Sequence, residues 1–401
     1  MMPGRGLVLR WVGGFLLTAG GTAWGVGLEA QRVVVRRCVA ILPPELSPLF
    51  GARVADLEER TLEPDGLWPR DDKLRGRAHW DHLWMDVKAE HGSLSARLAA
   101  ADAFPRREAD ANELFKSLGF GKQGGRLPWA LADLHAELVR AFQQGDADEI
   151  VKSAGYLTHF AWAASQPFSA TMNHNGRDTG NLYLGDLEIG DPYHPHQSVH
   201  YRVMGELVRR YRNRYQDAVR VRPIELQPVL EPVEPCFHHM LGSLARLDDL
   251  LTADREITER LGAKDGAALA ERQDEYYELL DARCGDIVAE RLRSAALFAA
   301  NLIAGAWERA GRPPVAVRDP HGVPTTTAPV EVNPAQAPRP AAPSTAPIPG
   351  GTYVGSKNSP IFHRGECAHV KRISPENRVT YASAEEALRQ GKRPCRVCKP
   401  E

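Results

Sequence analysis

The sequence predicts a mainly α-helical protein that ends in a small α+β module. Three observations carry this. Apolar residues recur at helical spacing through the first three quarters of the chain, where strand-like alternation is scarce. Between Arg312 and Gly350 stand 11 prolines in 39 residues. Beyond them, His363, Cys367, Cys395 and Cys398 form two closely spaced pairs in a segment too short to bury a large core of its own.

The amino terminus, "MMPGRGLVLRWVGGFLLTAGGTAWGVGLE", reads as a secretory signal over residues 1–23. Arg5 and Arg10 supply positive charge, Leu7 to Ala19 is largely apolar, and Gly21-Thr22-Ala23 is a small-x-small cleavage site. A membrane-spanning helix is the competing reading, but the apolar run is short and Arg10 interrupts it. Cleavage makes Trp24 the first residue of an exported chain, periplasmic or extracellular, with no transmembrane segment left.

Residues 24–311 read as one helical domain. Leu131, Leu134, Leu138 and Phe142 repeat at 3-4-4 spacing, Val203, Leu207, Tyr211 and Tyr215 lie four apart, and Ile287, Leu292, Ala295, Ala299, Leu302 and Ala306 form a third stripe. Each stripe is read as core. Polar metal-ligand types lie off these stripes: Asp65 in "LEPDGLWP", His79 in "GRAHWDHLW", His159 in "AGYLTHFAWAA", and His194, His196 and His200 in "YHPHQSVHYRV". Imidazole and carboxylate suit zinc, yet most of the 14 histidines are expected to be surface or satisfied core. Cys38, Cys236 and Cys284 allow one disulfide and one free thiol in an oxidising compartment, with the pair left open.

Taken in order, "WGVGLE", "EPDG", "AHWDHLW", "GRLPWALADLHAELVRAF", "GYLTHFAWAASQPFSATMNHNG", "SVHYRV" and "AWERAGRP" resemble the zinc-dependent phospholipase C and single-strand nuclease superfamily over Trp24 to Arg312. That resemblance implies a helical, exported phosphodiesterase whose mature N-terminal tryptophan binds metal through its amino group and carbonyl. Trp24, Asp65, His79, His159 and His200 match ligand positions of the family, and Glu29 stands where it has a histidine. Ala163 replaces an aspartate that bridges two metals one helical turn after His159. Ser169 replaces a histidine and Met204 a carboxylate. The resemblance thus supports at most one zinc on Asp65, His79 and His159, with His174, His194 or His196 as substitute donors. Paired metals activate water and neutralise phosphate charge together, whereas one ion does part of that work. Impaired or absent hydrolysis is the first reading, and an active mono- or di-zinc phosphodiesterase acting on nucleic acid or phospholipid the second.

Residues 312–351, with Pro, Ala and Thr dominant, read as a semi-rigid extended linker. The net charge of the whole chain is -1 and implies no polyanionic partner, but residues 352–401 carry ten Lys and Arg against five Asp and Glu, a net of +5. In this tail, HxxxC, 27 residues and CxxC present four donors for a closed tetrahedral zinc site. The alternative is disulfide chemistry, which cannot pair three cysteines internally. The tail resembles the N-terminal zinc module of the Ada DNA-repair proteins in "IF", the second cysteine, "EN", "EEAL" and "RPC" with its CxxC. In that family the first ligand is a cysteine that accepts a methyl group from DNA phosphotriesters; here His363 stands at that position. The resemblance therefore implies a structural or binding module without methyl transfer, whose basic charge suits phosphate-rich partners, DNA included. The whole is expected to act as a monomer.

Overall fold

The computed structural model describes residues 27–77, 80–89, 92–182, 198–315, 317–318 and 324–325. In the C-terminal module it describes residues 353–356, 361–365, 367, 370, 373, 377–381, 383–389, 392–395 and 398. Trp24, His79, His194 and His196 lie outside these residues. Chain contacts divide the protein into two units, 1–326 and 327–401, at a point inside the proline-rich stretch.

The first unit is helical. Helix Leu127–Gln144 carries Pro128 in its first turn and stops at Gly145, whose φ of 67° is left-handed backbone that glycine adopts without strain. Two residues later helix Ala147–Ala164 starts, with the Asp146 carboxylate accepting the backbone N–H groups of Asp148 and Glu149 at 3.0 and 3.1 Å. The two form a hairpin against the 37-residue helix Gln273–Arg309, which also packs on Leu28–Val39. The predicted stripes supply this core: Leu131, Leu134, Leu138, Leu292, Ala295, Ala299, Leu302 and Ala306 are fully buried. Gly305 is required by packing, since a Cβ there would sit 1.9 Å from the carbonyl oxygen of Val229.

The stripe through Val203 and Leu207 is not one α-helix. Tyr201–Glu206 is a π-helix, followed by the short helices Leu207–Arg210 and Arg212–Ala218. It carries Arg202 into the core, where Nε and Nη2 donate to the two carboxylate oxygens of Asp254 at 2.8 and 2.7 Å. Asn181 and Tyr276 also donate to that carboxylate, so the buried pair is hydrogen-bonded on all sides. The expected disulfide is absent: Cys38, Cys236 and Cys284 are all free thiols packed in the core, each at most 1% exposed. There each fills apolar space as a small hydrophobe, and burial raises all three thiols above their ordinary range. Among the described residues no helix is long and apolar enough to cross a membrane.

A two-stranded pair, β1 (Val317–Arg318) and β2 (Pro324–Thr325), precedes the module. The module is a four-stranded sheet of β3 (Tyr353–Ser356), β4 (Ile361–Arg364), β5 (Arg378–Tyr381) and β6 (Arg393–Pro394), with helix Ala384–Arg389 between the last two. The spatial order is β5-β3-β4-β6; β3 runs antiparallel to both its neighbours, and β4 runs parallel to β6. Its apolar interior is two small clusters. Phe362, Tyr381, Ala384 and Ala387 form one, while Val354, Val370, Cys367 and Cys395 form the other.

Candidate metal centre

Strand pairing assembles the module's centre. Val354 on β3 lies directly opposite His363 on β4, and opposite residues share a sheet face, so His363 faces the cluster that holds the cysteines. The chain then turns, the Cys367 N–H bonding to the Arg364 carbonyl at 2.9 Å, and brings the Cys367 sulfur to 3.6 Å from His363 Nδ1. Across the parallel β4–β6 pair, the Cys395 N–H donates to the Phe362 carbonyl at 2.9 Å. Cys398 closes the set by accepting the Arg364 N–H at 3.4 Å.

The donor atoms of His363, Cys367, Cys395 and Cys398 all lie within 4.8 Å of one another. Among the described residues this is the one group of three or more such donors that converges so closely. His363, Cys367 and Cys395 are buried, and Cys398 is half-exposed. Burial pushes the Cys398 thiol up to about 11, and Cys367 and Cys395 push the same way against the Arg364 N–H. A cation at the centre reverses that cost, because it binds the thiolate and expels the proton. Three sulfurs and one imidazole around one point are the donor set of a structural zinc site with no open position.

The helical unit contains a second, looser constellation. Asp65 and His159, far apart in sequence, meet with Oδ1 and Nε2 3.6 Å apart, and His159 Nδ1 donates to the Thr61 carbonyl at 2.9 Å. That second bond fixes the ring and leaves Nε2 toward the carboxylate. Gln31, 2% exposed, also bonds Asp65 and leaves its own Oε1 unpartnered. Burial and nearby Asp81 push the Asp65 carboxyl above the usual range, against His159 and Gln31.

Burial also acts to raise Asp81, but its hydrogen bond to His82 and the charges of His82 and His159 bring it below the usual range. Asp65 and Asp81 nonetheless keep 30% and 48% of their side-chain surface open.

The other positions named from sequence are not drawn into this pair as metal ligands. Glu29, in the first turn of its helix, pairs with Arg32 at 2.8 Å. His200 Nε2 bonds the Gln166 side-chain oxygen at 2.6 Å, and its ring stacks on Phe168. Burial, with His174 adding to it, pushes His200 down to about 4. His174 donates from Nδ1 to the Met172 carbonyl and stacks on Trp84. Ala163, Ser169 and Met204 are all buried.

Two residues not named from the sequence, Asp81 and His82, also belong to this constellation. His82 Nδ1 meets Asp81 Oδ1 at 2.9 Å and its Nε2 meets the Gln123 carbonyl at 2.8 Å. Burial lowers His82, but the hydrogen bond and charge of Asp81 and the Gln123 carbonyl hold it above its ordinary value. The signal available was local: Asp81 stands two residues after His79 in "AHWDHLW".

No curated protein gives a match to the chain. Residues 345–401 match the family model for the metal binding domain of Ada, which covers all four converging donors. The carboxy-terminal segment is therefore an Ada-type metal-binding module, and its His/Cys3 cluster fits zinc.

Proposed function

We propose that this is an exported zinc-binding protein in which His363, Cys367, Cys395 and Cys398 hold one structural zinc, and the helical unit is a phospholipase C/nuclease-like scaffold with impaired or absent hydrolysis. The observation that carries the proposal is the convergence of those four donors, with a histidine at the first position. Zinc there supplies cross-linking of β4 to the turn after β6. The site's first donor is an imidazole, a poor methyl acceptor beside a zinc-bound thiolate, so the module binds or braces and does not repair. The boundaries that go with this reading are a signal at 1–23, a helical domain at 24–311, a linker at 312–351 and the module at 352–401.

For the helical unit, the Asp65–His159 pair supports a reading as a reduced metal cleft. Ala163 stands one turn beyond His159 on the same helix face, with no carboxylate to bridge a second ion. The alternative, an active mono- or di-zinc phosphodiesterase, is favoured by one feature, the solvent access that Asp65 and Asp81 retain. Hydrolysis of single-stranded nucleic acid and of phospholipid, measured beside metal content, tests the two. No turnover with one zinc per chain supports the scaffold reading, while turnover abolished by His159→Ala supports the enzyme.

A further inference from the structure

We infer that Cys398 is a site of oxidation by hydroperoxides, and that its oxidation ejects the module's zinc. The inference rests on the zinc reading above and adds a modification site to it. Of the four donors, three are buried and Cys398 alone is partly exposed, its sulfur accepting the Arg364 N–H at 3.4 Å. Zinc keeps that sulfur as thiolate, the form that attacks peroxide. The protein's other thiols are shielded: Cys38, Cys236 and Cys284 are at most 1% exposed, and Cys367 and Cys395 are 7% and 5% exposed. Reactivity is thereby confined to one sulfur in six.

In the first step the Cys398 thiolate attacks one peroxide oxygen. The S–O bond forms, the O–O bond breaks and hydroxide leaves. The Cys395 thiolate, three residues before Cys398 in the chain, then attacks the sulfenic sulfur; S–S forms, S–O breaks and a second hydroxide leaves. The two sulfurs lose two electrons and the peroxide gains them. His363 makes this event decisive. An imidazole cannot join a disulfide, so one disulfide leaves a single thiolate, Cys367, and one imidazole on the metal, and zinc departs. Cys367 and Cys395 also form half of one of the module's two apolar clusters, so the same event disturbs its core.

The test uses the full-length protein and hydrogen peroxide, with a zinc chromophore reporting release and peptide mapping reporting sulfur chemistry. Wild type is expected to lose its module zinc in step with a Cys395–Cys398 disulfide, to regain it after thiol reduction with added zinc, and to yield a trapped sulfenic acid at Cys398 with a cyclic 1,3-dione. Cys398→His retains four donors without the open thiolate and is expected to slow release at least tenfold. Release from Cys398→His at the wild-type rate, first oxidation at any other cysteine, or zinc retained under peroxide that fully oxidises free cysteine would each overturn the inference. If acid denaturation of untreated protein frees no zinc from the module, the zinc reading fails and takes the inference with it. Zinc present but insensitive to peroxide overturns the inference alone.

Discussion

Replacing Cys395 by serine is expected to unfold the module and leave the helical unit intact. Cys395 occupies two roles at once: its sulfur is one of the four converging donors, and its N–H ties β6 to β4 through the Phe362 carbonyl. The module offers little else. Its buried side chains amount to two clusters of about four residues, against dozens in the helical unit. For a segment of about fifty residues, net stability of ~3–8 kcal/mol is the normal range. Structural zinc in small modules contributes ~10–16 kcal/mol of binding free energy at neutral pH. The metal term exceeds the whole expected margin, so losing a thiolate that carries a large share of it leaves the folded state unsupported.

The assay separates the two units cleanly. All eight tryptophans precede residue 312, so tryptophan emission reports on the helical unit alone. Limited proteolysis followed by mass spectrometry reports on 352–401. Cys395→Ser should give unchanged emission and melting with rapid cleavage in the tail, and a chelator should do the same to wild type. A tail that resists protease without zinc, or with a Cys395–Cys398 disulfide in its place, would refute the reasoning.

Further expectations follow from the helical unit. Intact mass of the exported protein should place its first residue at Trp24; retained Met1 or another cleavage point removes the N-terminal ligand role. Ala163→Asp, Ser169→His and Met204→Glu together should add bound metal to the unit, and an unchanged metal count would speak against the phospholipase C/nuclease-like scaffold. Gly305→Ala should cost about 1–3 kcal/mol, because the Cβ meets a backbone carbonyl that cannot swing aside; a melting temperature equal to wild type would show the strap at Val229 to be loose. Burial holds His135 and His200 at about 4 and His239 at about 3. The unfolded chain therefore binds more protons than the native one between about pH 6.5 and 4, and stability falls as pH drops through that window. A tryptophan-monitored urea midpoint at pH 5 no lower than at pH 7 would contradict this.

What could be read from the sequence was local. The 3-4-4 stripe from Leu131 to Phe142 became a buried helix face because its period needs no knowledge of its partners. HxxxC and CxxC likewise encode two turns, and sheet pairing brought them together. Misses came where distant segments decide the outcome. The π-helix at Tyr201–Glu206 interrupts a plausible four-residue repeat, and the path of Val229 over Gly305 is set by tertiary contact. Asp81 and His82 became a site pair only when Gln123, Asp65 and His159 closed around them. The three early cysteines could be disulfide partners by number, but in the structure all three are free thiols buried in the core.

On the reading proposed above, this chain holds its metal through His363, Cys367, Cys395 and Cys398. Zinc per chain, measured on full-length protein after exhaustive dialysis beside a Cys395→Ser/Cys398→Ser double variant, tests it most directly. The expected result is one zinc in the wild type and none in the variant. Wild type without zinc, or a variant that keeps as much as wild type, would contradict it.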